Sequence, residues 1–438
     1  MGTCCKCRVE SHGWGDMEPI VYVNPATKQE YCIFHAPKEE KRKSLDSNEL
    51  LTLEEFNAKV HARIYGVIKH NSECRSEKGH RTCELSDTIF PGDISFREFD
   101  KDNPLPHISF LRVTFCNVVN FWGTTFSSGA IFTSAKFVNT AFFCDAKFYG
   151  KASFAHATFE HIEKLRGVHF NETQFNGGAS FYKTIFRGIA QFCQSTFKNT
   201  PIEFHSTEFH DATTFNEATI DTMVLFKQTT LGEKTEFCGL RVSAAGSVHI
   251  EEMDGRSLKH LYFKQADLPI FTFKCWRKPE RLGLDVHGDA KQNNLLECEE
   301  LYRAMKQRAA EEHDQPQASH WHYREKLMAM KRRGNSAFEQ AMLWLYFSCS
   351  GFGERPGQSL LVLLALIVLS FVANSIKEPW IWAELPGSAA AQYTLATIPF
   401  AKDIPGDGWV KAGRGFWQFL IAVQFTLFAL AVRNRFRR

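Results

Sequence analysis

From Phe110 to Phe237 a phenylalanine recurs every five or six residues, and the two gaps alternate. The run Phe110, Phe115, Phe121, Phe126, Phe132, Phe137, Phe143, Phe148, Phe154 and Phe159 resumes at Phe170 and continues through Phe175, Phe181, Phe186, Phe192 and Phe197. It closes with Phe204, Phe209, Phe215, Ile220, Phe226, Leu231 and Phe237. Two residues ahead of most of them stands a small or β-branched residue, among them Ala130, Ala135, Ala146, Ala157, Thr184, Ser195 and Thr207. A period of about eleven fits neither an amphipathic helix nor an alternating strand, whereas fixed internal periodicity is the signature of a repeat architecture. The segment therefore reads as a solenoid. If each five- or six-residue unit makes one side and one corner of a squared coil, the large and the small residue both point inward. The rings then stack on those of the next coil, about 4.8 Å away. With about 22 residues per coil, residues 105–240 give roughly six coils, a rod on the order of 30 Å long. Two breaks in rhythm, at 159–175 (where Leu165 takes the place of a Phe) and at 197–204, mark a bulge or loop.

Units such as "AKFVNTAFF" and "ASFAHATF" resemble the Phe-rich branch of the pentapeptide-repeat family. The resemblance implies an all-β, right-handed quadrilateral β-helix. The chain departs from the commoner Ala-Asp-Leu form by its central Phe and by an extra residue in every second unit.

The remaining sequence divides around this rod. The expected segments are a knuckle module at 1–45, a capping helix and connector at 46–90, the β-helix at 91–276, a helical hairpin at 290–333, an interfacial helix at 334–357 and a two-helix membrane module at 358–438. Such a division suits a chain of 438 residues. Thirteen scattered cysteines and the absence of an apolar leader at the N-terminus fit a reducing compartment. A net charge of +3 gives no electrostatic case for nucleic acid, and the coil surface balances its acids with Lys136, Lys147, Lys151, Lys183, Arg187 and Lys198. Gyrase inhibition by mimicry of DNA, attributed to some pentapeptide-repeat proteins, requires a strongly acidic rod and is not expected here. No phosphate-binding loop, nucleophile elbow or paired-carboxylate setting is present, so no enzyme is expected.

The sharpest site chemistry lies at the N-terminus. Cys4 and Cys7 form Cys-x-x-Cys, and Cys32 and His35 form Cys-x-x-His. Four soft nitrogen and sulfur ligands in two knuckles suit a closed tetrahedral structural zinc with no open position for a catalytic water. Cys5 is an alternative to Cys4. Between the knuckles, "PIVYVNPATKQEYC" reads as a hairpin turning at Asn24-Pro25. A weaker second set, His70, Cys74, His80 and Cys83, has irregular spacing. Between these sets Thr52 and Glu55 make a capping box, ahead of a helix with Leu53, Phe56, Val60, Ile64 and Ile68 on one face. Such a helix would cover the open end of the rod, whose strand edges otherwise invite aggregation. Farther on, Leu295, Leu296, Leu301, Tyr302 and Met305 mark one helix of the hairpin, and Trp321, Leu327 and Met330 mark the other. His320 and His322, two residues apart on that helix, point away from each other and do not suggest a metal.

Two apolar runs, 359–376 and 416–432, are of spanning length. Gln418 and Gln424 are the strongly polar members of the second, and are expected to face a partner helix. Lys331, Arg332 and Arg333 precede the first run, and Arg433, Arg435, Arg437 and Arg438 follow the second. This bias places both termini in the cytoplasm of a multi-pass inner-membrane protein. "FEQAMLWLYFSCSGFGERPGQ" reads as a helix lying on the inner leaflet. The motifs "WLYFSCSGFGERP" and "AVRNRFRR" resemble the ion-channel-like module that ends some bacterial pentapeptide-repeat proteins, which implies a homo-oligomer, a tetramer if channel-like. The candidate pore segment, Thr394, Leu395, Ala396, Thr397, Ile398, Pro399 and Phe400, lacks the Gly-Tyr-Gly of a potassium filter. The expected function is a non-enzymatic membrane-anchored scaffold or sensor that binds an unknown protein partner on the rod. The alternative is an ion channel gated by the cytoplasmic part.

Overall fold

The computed structural model describes residues 4–9, 18–74, 80–160, 167–232, 234–252, 261–262, 271–274, 295–311, 313–332, 336–376 and 408–436. The chain divides into two compact units, Met1–Lys291 and Gln292–Arg438.

The first unit is a parallel β-solenoid of about seven turns. Its two- to five-residue strands visit four sheets in rotation, of nine, six, eight and six strands, and every pairing between coils is parallel. The register confirms the inward ladder. Phe115, Phe137 and Phe159 are partners on one face, with Phe126, Phe148 and Phe175 on another. Ring centroids then follow the coil spacing: 4.9 Å from Phe110 to Phe132, 4.8 Å to Phe154, 5.0 Å to Phe181 and 4.7 Å to Phe204. Rings of adjacent stacks meet edge to face, as Phe143 and Phe154 do at 5.6 Å and 90°. Both arrangements suit the aromatic quadrupole.

The small residues ahead of the rings do more than leave room. Thr173, Thr184, Ser195 and Thr207 are buried, and each hydroxyl donates to the carbonyl of a Phe in the coil below: Phe143 at 2.7 Å, Phe154 at 2.7 Å, Phe170 at 2.6 Å and Phe181 at 2.6 Å. A buried hydroxyl is thereby satisfied at no cost in volume. The corners need a left-handed residue, as type II turns do. It falls two positions after alternate Phe residues, at Arg112, Ser134, His156 and Lys183 on one corner and at Gly123, Asp145, Glu172 and Gln194 on another.

Both breaks in rhythm have a register basis. Ala141 pairs with Val168, although the 22-residue step linking Val119 to Ala141 would lead to position 163. The chain therefore inserts five residues between Phe159 and Gly167. Leu165 lies outside the described residues. Gly167 resumes the ladder so tightly that a Cβ there would sit 1.9 Å from the Ile189 carbonyl oxygen. At the second break one extra residue precedes Ile202, the partner of Ala179.

The solenoid also starts earlier than the Phe spacing indicates. Strands Cys83–Glu84 and Ile89–Phe90 already pair with the next coil, so the first two strands of the first turn lie in what the spacing assigns to the connector before residue 91, while its third, Ile94–Ser95, lies within the expected β-helix. Helix α1 spans Cys5–Val9, strands β1 and β2 span Ile20–Val23 and Glu30–Cys32, and helix α2 spans Leu53–Glu73. The Thr52–Glu55 capping box is formed in both directions. Phe56, Val60 and Ile64 are buried against the first coil, with Phe56 edge-on to Phe90 at 5.9 Å, while Leu53 stays partly exposed. Asn57 donates to Asp93 O at 2.9 Å and Arg63 to Glu84 O at 3.2 Å. The helix thus covers this end of the rod.

The second unit is helical: α3 (Leu295–Glu311), α4 (Gln315–Lys331), α5 (Ala337–Ser350), α6 (Pro356–Ile376) and α7 (Gly408–Phe436). Helices α3 and α4 form the expected hairpin, but the inner face of α3 is Cys298, Tyr302, Met305 and Ala309, and Leu296 is exposed. Tyr302 stacks on Trp321 at 5.8 Å. Glu325, buried at the interface, takes charged hydrogen bonds from Arg303 and Lys306. Helices α6 and α7 pack together, and both are long and apolar enough to cross a membrane. At about 1.5 Å per residue, α6 is about 30 Å long, close to the hydrocarbon thickness of a bilayer.

An elbow joins α5 to α6. Gly351, Phe352 and Gly353 all have positive φ, and Phe352, at +59°, is fully buried against Tyr323, Tyr346 and Phe347. A bulky residue held there signals surroundings that over-determine the backbone. Those surroundings include Ser319 of α4, which donates to Glu354, and Arg355 over the Tyr323 ring at 4.4 Å. From α7, Gln424 donates to Cys349 O at 2.8 Å and Ser359 O at 2.9 Å, and Asn434 donates to Gly353 O at 3.2 Å. Gln424 therefore faces partners within its own chain.

Candidate metal centre

The hairpin between the knuckles forms because Asn24 can close it. Its side-chain oxygen accepts from the amides of Ala26 and Thr27, its backbone bonds Gln29 and Lys28, and Lys28 turns with φ 58°. Strands β1 and β2 then run antiparallel, with Ile20 opposite Cys32. After Cys32 the chain makes a tight turn, in which His35 N and Ala36 N both donate to Cys32 O, so that the His35 ring swings back beside the Cys32 sulfur. The other two sulfurs come from the α1 segment.

Cys4, Cys7, Cys32 and His35 gather with all four ligand atoms within 4.8 Å of one another. The Nδ1 of His35 lies 3.3 Å from Cys4 Sγ, 3.5 Å from Cys7 Sγ and 3.2 Å from Cys32 Sγ, and Cys7 and Cys32 are 3.8 Å apart. Tetrahedral zinc with sulfur at about 2.3 Å and nitrogen at about 2.05 Å has edges of about 3.8 Å between sulfurs and about 3.6 Å from sulfur to nitrogen. The donor set already has nearly that size. Cys5 lies outside this group, and its thiol is directed to Tyr31 instead.

The four groups are tightly coupled in their protonation. Hydrogen bonds from Cys32 and then Cys7 pull the Cys4 thiol down, while hydrogen bonding to Cys32 and Cys4 pushes Cys7 up. Burial disfavours charge on His35, but its hydrogen bonds to Cys32 and Cys4 outweigh this and raise it to about 9. The far nitrogen, Nε2, donates to Ser86 O at 3.0 Å, leaving Nδ1 as the ligand atom. Such an outer hydrogen bond fixes the tautomer and the plane of a metal-binding imidazole.

Ser86 belongs to the first coil of the solenoid, so the centre is bound to the rod as well as to itself. Ile89 N donates to Phe34 O at 3.0 Å, and Lys6 reaches Asp87 at 3.0 Å, whose other oxygen holds Arg112 at 2.8 Å. Lys41 was not singled out by the sequence. It is buried, donates to the carbonyls of Ile33 and Phe34, and lies 4.7 Å from the Phe56 ring centre, while burial lowers it to about 7. A lysine after a knuckle reads as a solvated charge, and only the folded turn reveals the carbonyls that it caps.

The second set does not assemble. Cys74 caps α2 and lies 3.6 Å from His70 Nε2, His80 is exposed, and Cys83 is buried in the first coil, where desolvation pushes its thiol up to about 12. Among the described residues, Cys4, Cys7, Cys32 and His35 make the one group of metal-binding size. The candidate pore segment, Thr394 to Phe400, lies outside the described residues. Compared with protein families, curated proteins and solved structures, the chain finds no match.

Proposed function

We propose that this chain is a non-enzymatic, membrane-anchored scaffold or sensor: a right-handed quadrilateral β-helix of the pentapeptide-repeat kind, closed at one end by a zinc knuckle and tethered by two spans. One observation carries the reading. Helices α6 and α7 are long enough to cross a bilayer and keep large apolar residues uncovered, with Leu361 70%, Val368 60% and Phe419 63% exposed. A soluble protein rarely leaves so much contiguous apolar surface in water. Helix α5, with Phe338, Met342, Trp344 and Leu345 exposed, then lies along the interface beside them.

The binding surface of this reading is the outside of the rod, because the inward Phe rings are fully buried. Both termini are cytoplasmic, the membrane is the inner membrane of a bacterium, the chain self-associates, and the rod receives a protein partner. Zinc is the metal favoured by three thiolates and an imidazole in a closed set. Its role is structural, binding the knuckle to the first coil.

The second reading, an oligomeric channel gated by the cytoplasmic part, rests on the two-span layout. Reconstituting the full chain in planar bilayers separates the two. The scaffold reading expects an oligomer inserted in the bilayer with no conductance. Reproducible unitary currents from that oligomer would replace it with the channel.

A further inference from the structure

Helix α5 does not lie flush against the long helices. Between its apolar side, α6 and α7 runs a cleft of about 840 Å³, within the size range of pockets that take small-molecule ligands. Its walls are apolar: Met342 and Leu345 from α5, Val362 and Leu366 from α6, Leu420 and Val423 from α7. Its mouth, at the end of α4, is cationic. Lys326 and Arg332 line it, and Arg332 is positioned by Glu299 at 3.2 Å. The carboxylate in the lining, Glu339, is turned to the Ser336 amide at 3.1 Å to cap α5.

We propose that this cleft holds a phospholipid with an anionic headgroup. The proposal rests on the membrane reading above. An acyl chain needs continuous apolar walls open to the bilayer core, and α6 and α7 supply them. A negative headgroup needs cations at the depth where α5 lies, and Lys326 and Arg332 stand there. Charge also argues against a second copy of this chain as the occupant: its α7, with Arg433 and Arg435 in the last turn, would bring more positive charge to a positive mouth. The lipid would wedge α5 against the spans, joining the elbow, the hairpin end and the bilayer in one packed unit.

The test uses the full chain in nanodiscs of equal parts phosphatidylglycerol and phosphatidylcholine, released gently for native mass spectrometry. The wild type is expected to retain phosphatidylglycerol in preference. Lys326→Gln should cut that retention about fivefold and leave phosphatidylcholine unchanged. Val423→Trp, which fills the cleft, should strip both lipids, and an unchanged melting profile would establish that each variant is folded. Equal retention of the two lipids, or loss of the bound lipid to excess inorganic phosphate, would overturn the assignment. The two failures are distinguishable. A chain that resists alkaline extraction yet retains no lipid removes only this site, whereas a chain extracted from membranes by alkali removes the membrane reading and the lipid site with it.

Discussion

The solenoid and the helical unit are both rich in large apolar side chains and dispose of them in opposite ways. In the solenoid each ladder Phe is covered by its counterparts in neighbouring coils, and the ladder rings are essentially inaccessible. In the helical unit, Leu361, Val368 and Phe419 project outward with no protein over them. The first unit covers its apolar groups with its own repeats, and the second leaves many of them uncovered. Composition alone cannot distinguish the two, but spacing does. A ring every five or six residues has a partner one coil away, whereas an unbroken apolar run has none within its own segment.

The largest effect should come from the ladder. Phe154→Ala removes a ring stacked at 4.8 Å on Phe132 and 5.0 Å on Phe181, and should cost about 3–5 kcal/mol, read as a shift in the urea midpoint of the β signal. By the same measure Val368→Ala on α6 should cost under about 0.5 kcal/mol in detergent or lipid. Similar losses at the two sites would erase the contrast.

Next comes the metal. Removing it with a strong chelator, or mutating Cys32→Ser, should release about one zinc per chain and expose the first coil to protease, while the later coils stay protected. Metal content unaltered in Cys7→Ser would contradict the assignment. Because thiolates and a neutral imidazole are the binding forms, affinity should fall as the pH falls, a trend that zinc titration at several pH values would follow.

A smaller effect tests the polar clamps. Gln424→Leu removes the side-chain donor to the carbonyls of Cys349 and Ser359 and should cost about 1–3 kcal/mol, and Thr184→Val removes one of the two bonds accepted by Phe154 O, the Ala157 amide remaining, at about 0.5–1.5 kcal/mol. If the elbow organises the helical unit, Gln424→Leu should also free α5 to proteolysis, whereas Thr184→Val should leave α5 untouched.

The smallest effect concerns Glu354. Burial raises its carboxyl above the ordinary range, partly offset by the Ser319 hydroxyl. A raised acid contributes stability that is present below its unfolded value and lost as pH rises through the folded one. Glu354→Gln should therefore flatten a shallow decline in the stability of the helical unit above the usual carboxylate range. A slope unchanged by the substitution would show that the carboxyl is not held in this way.

How much could be read beforehand follows the same division. The solenoid was legible because its partners are local in the repeat: the inward Phe and the small residues before it recur in sequence as they do in space. The hydroxyl bonds to Phe carbonyls were hidden, since Ala and Thr alternate at those positions for reasons of volume until the carbonyl geometry is known. The start of the first coil was missed because Cys83 and Leu85 hold buried places without a Phe, and because Phe90 and Phe96, which do stack on Phe115 and Phe121, are cut off from Phe110 by the irregular stretch holding Phe99 and Leu105. The gathering of Cys4, Cys7, Cys32 and His35 was legible from two paired spacings, but that Cys4 and not Cys5 joins the group needed the fold of the α1 segment. In the helical unit the two long apolar helices stood out, whereas the elbow did not. Its contacts join Gln424 to Ser359 and Asn434 to Gly353, far apart in sequence and without a repeat to connect them.

The claim on which the account depends is that lipid, not protein, covers the outer faces of α6 and α7. Alkaline extraction of membranes from cells producing the full chain tests it most directly. The account predicts that the chain stays in the membrane pellet and leaves it only with detergent. Recovery of the folded chain in the alkaline supernatant would contradict it.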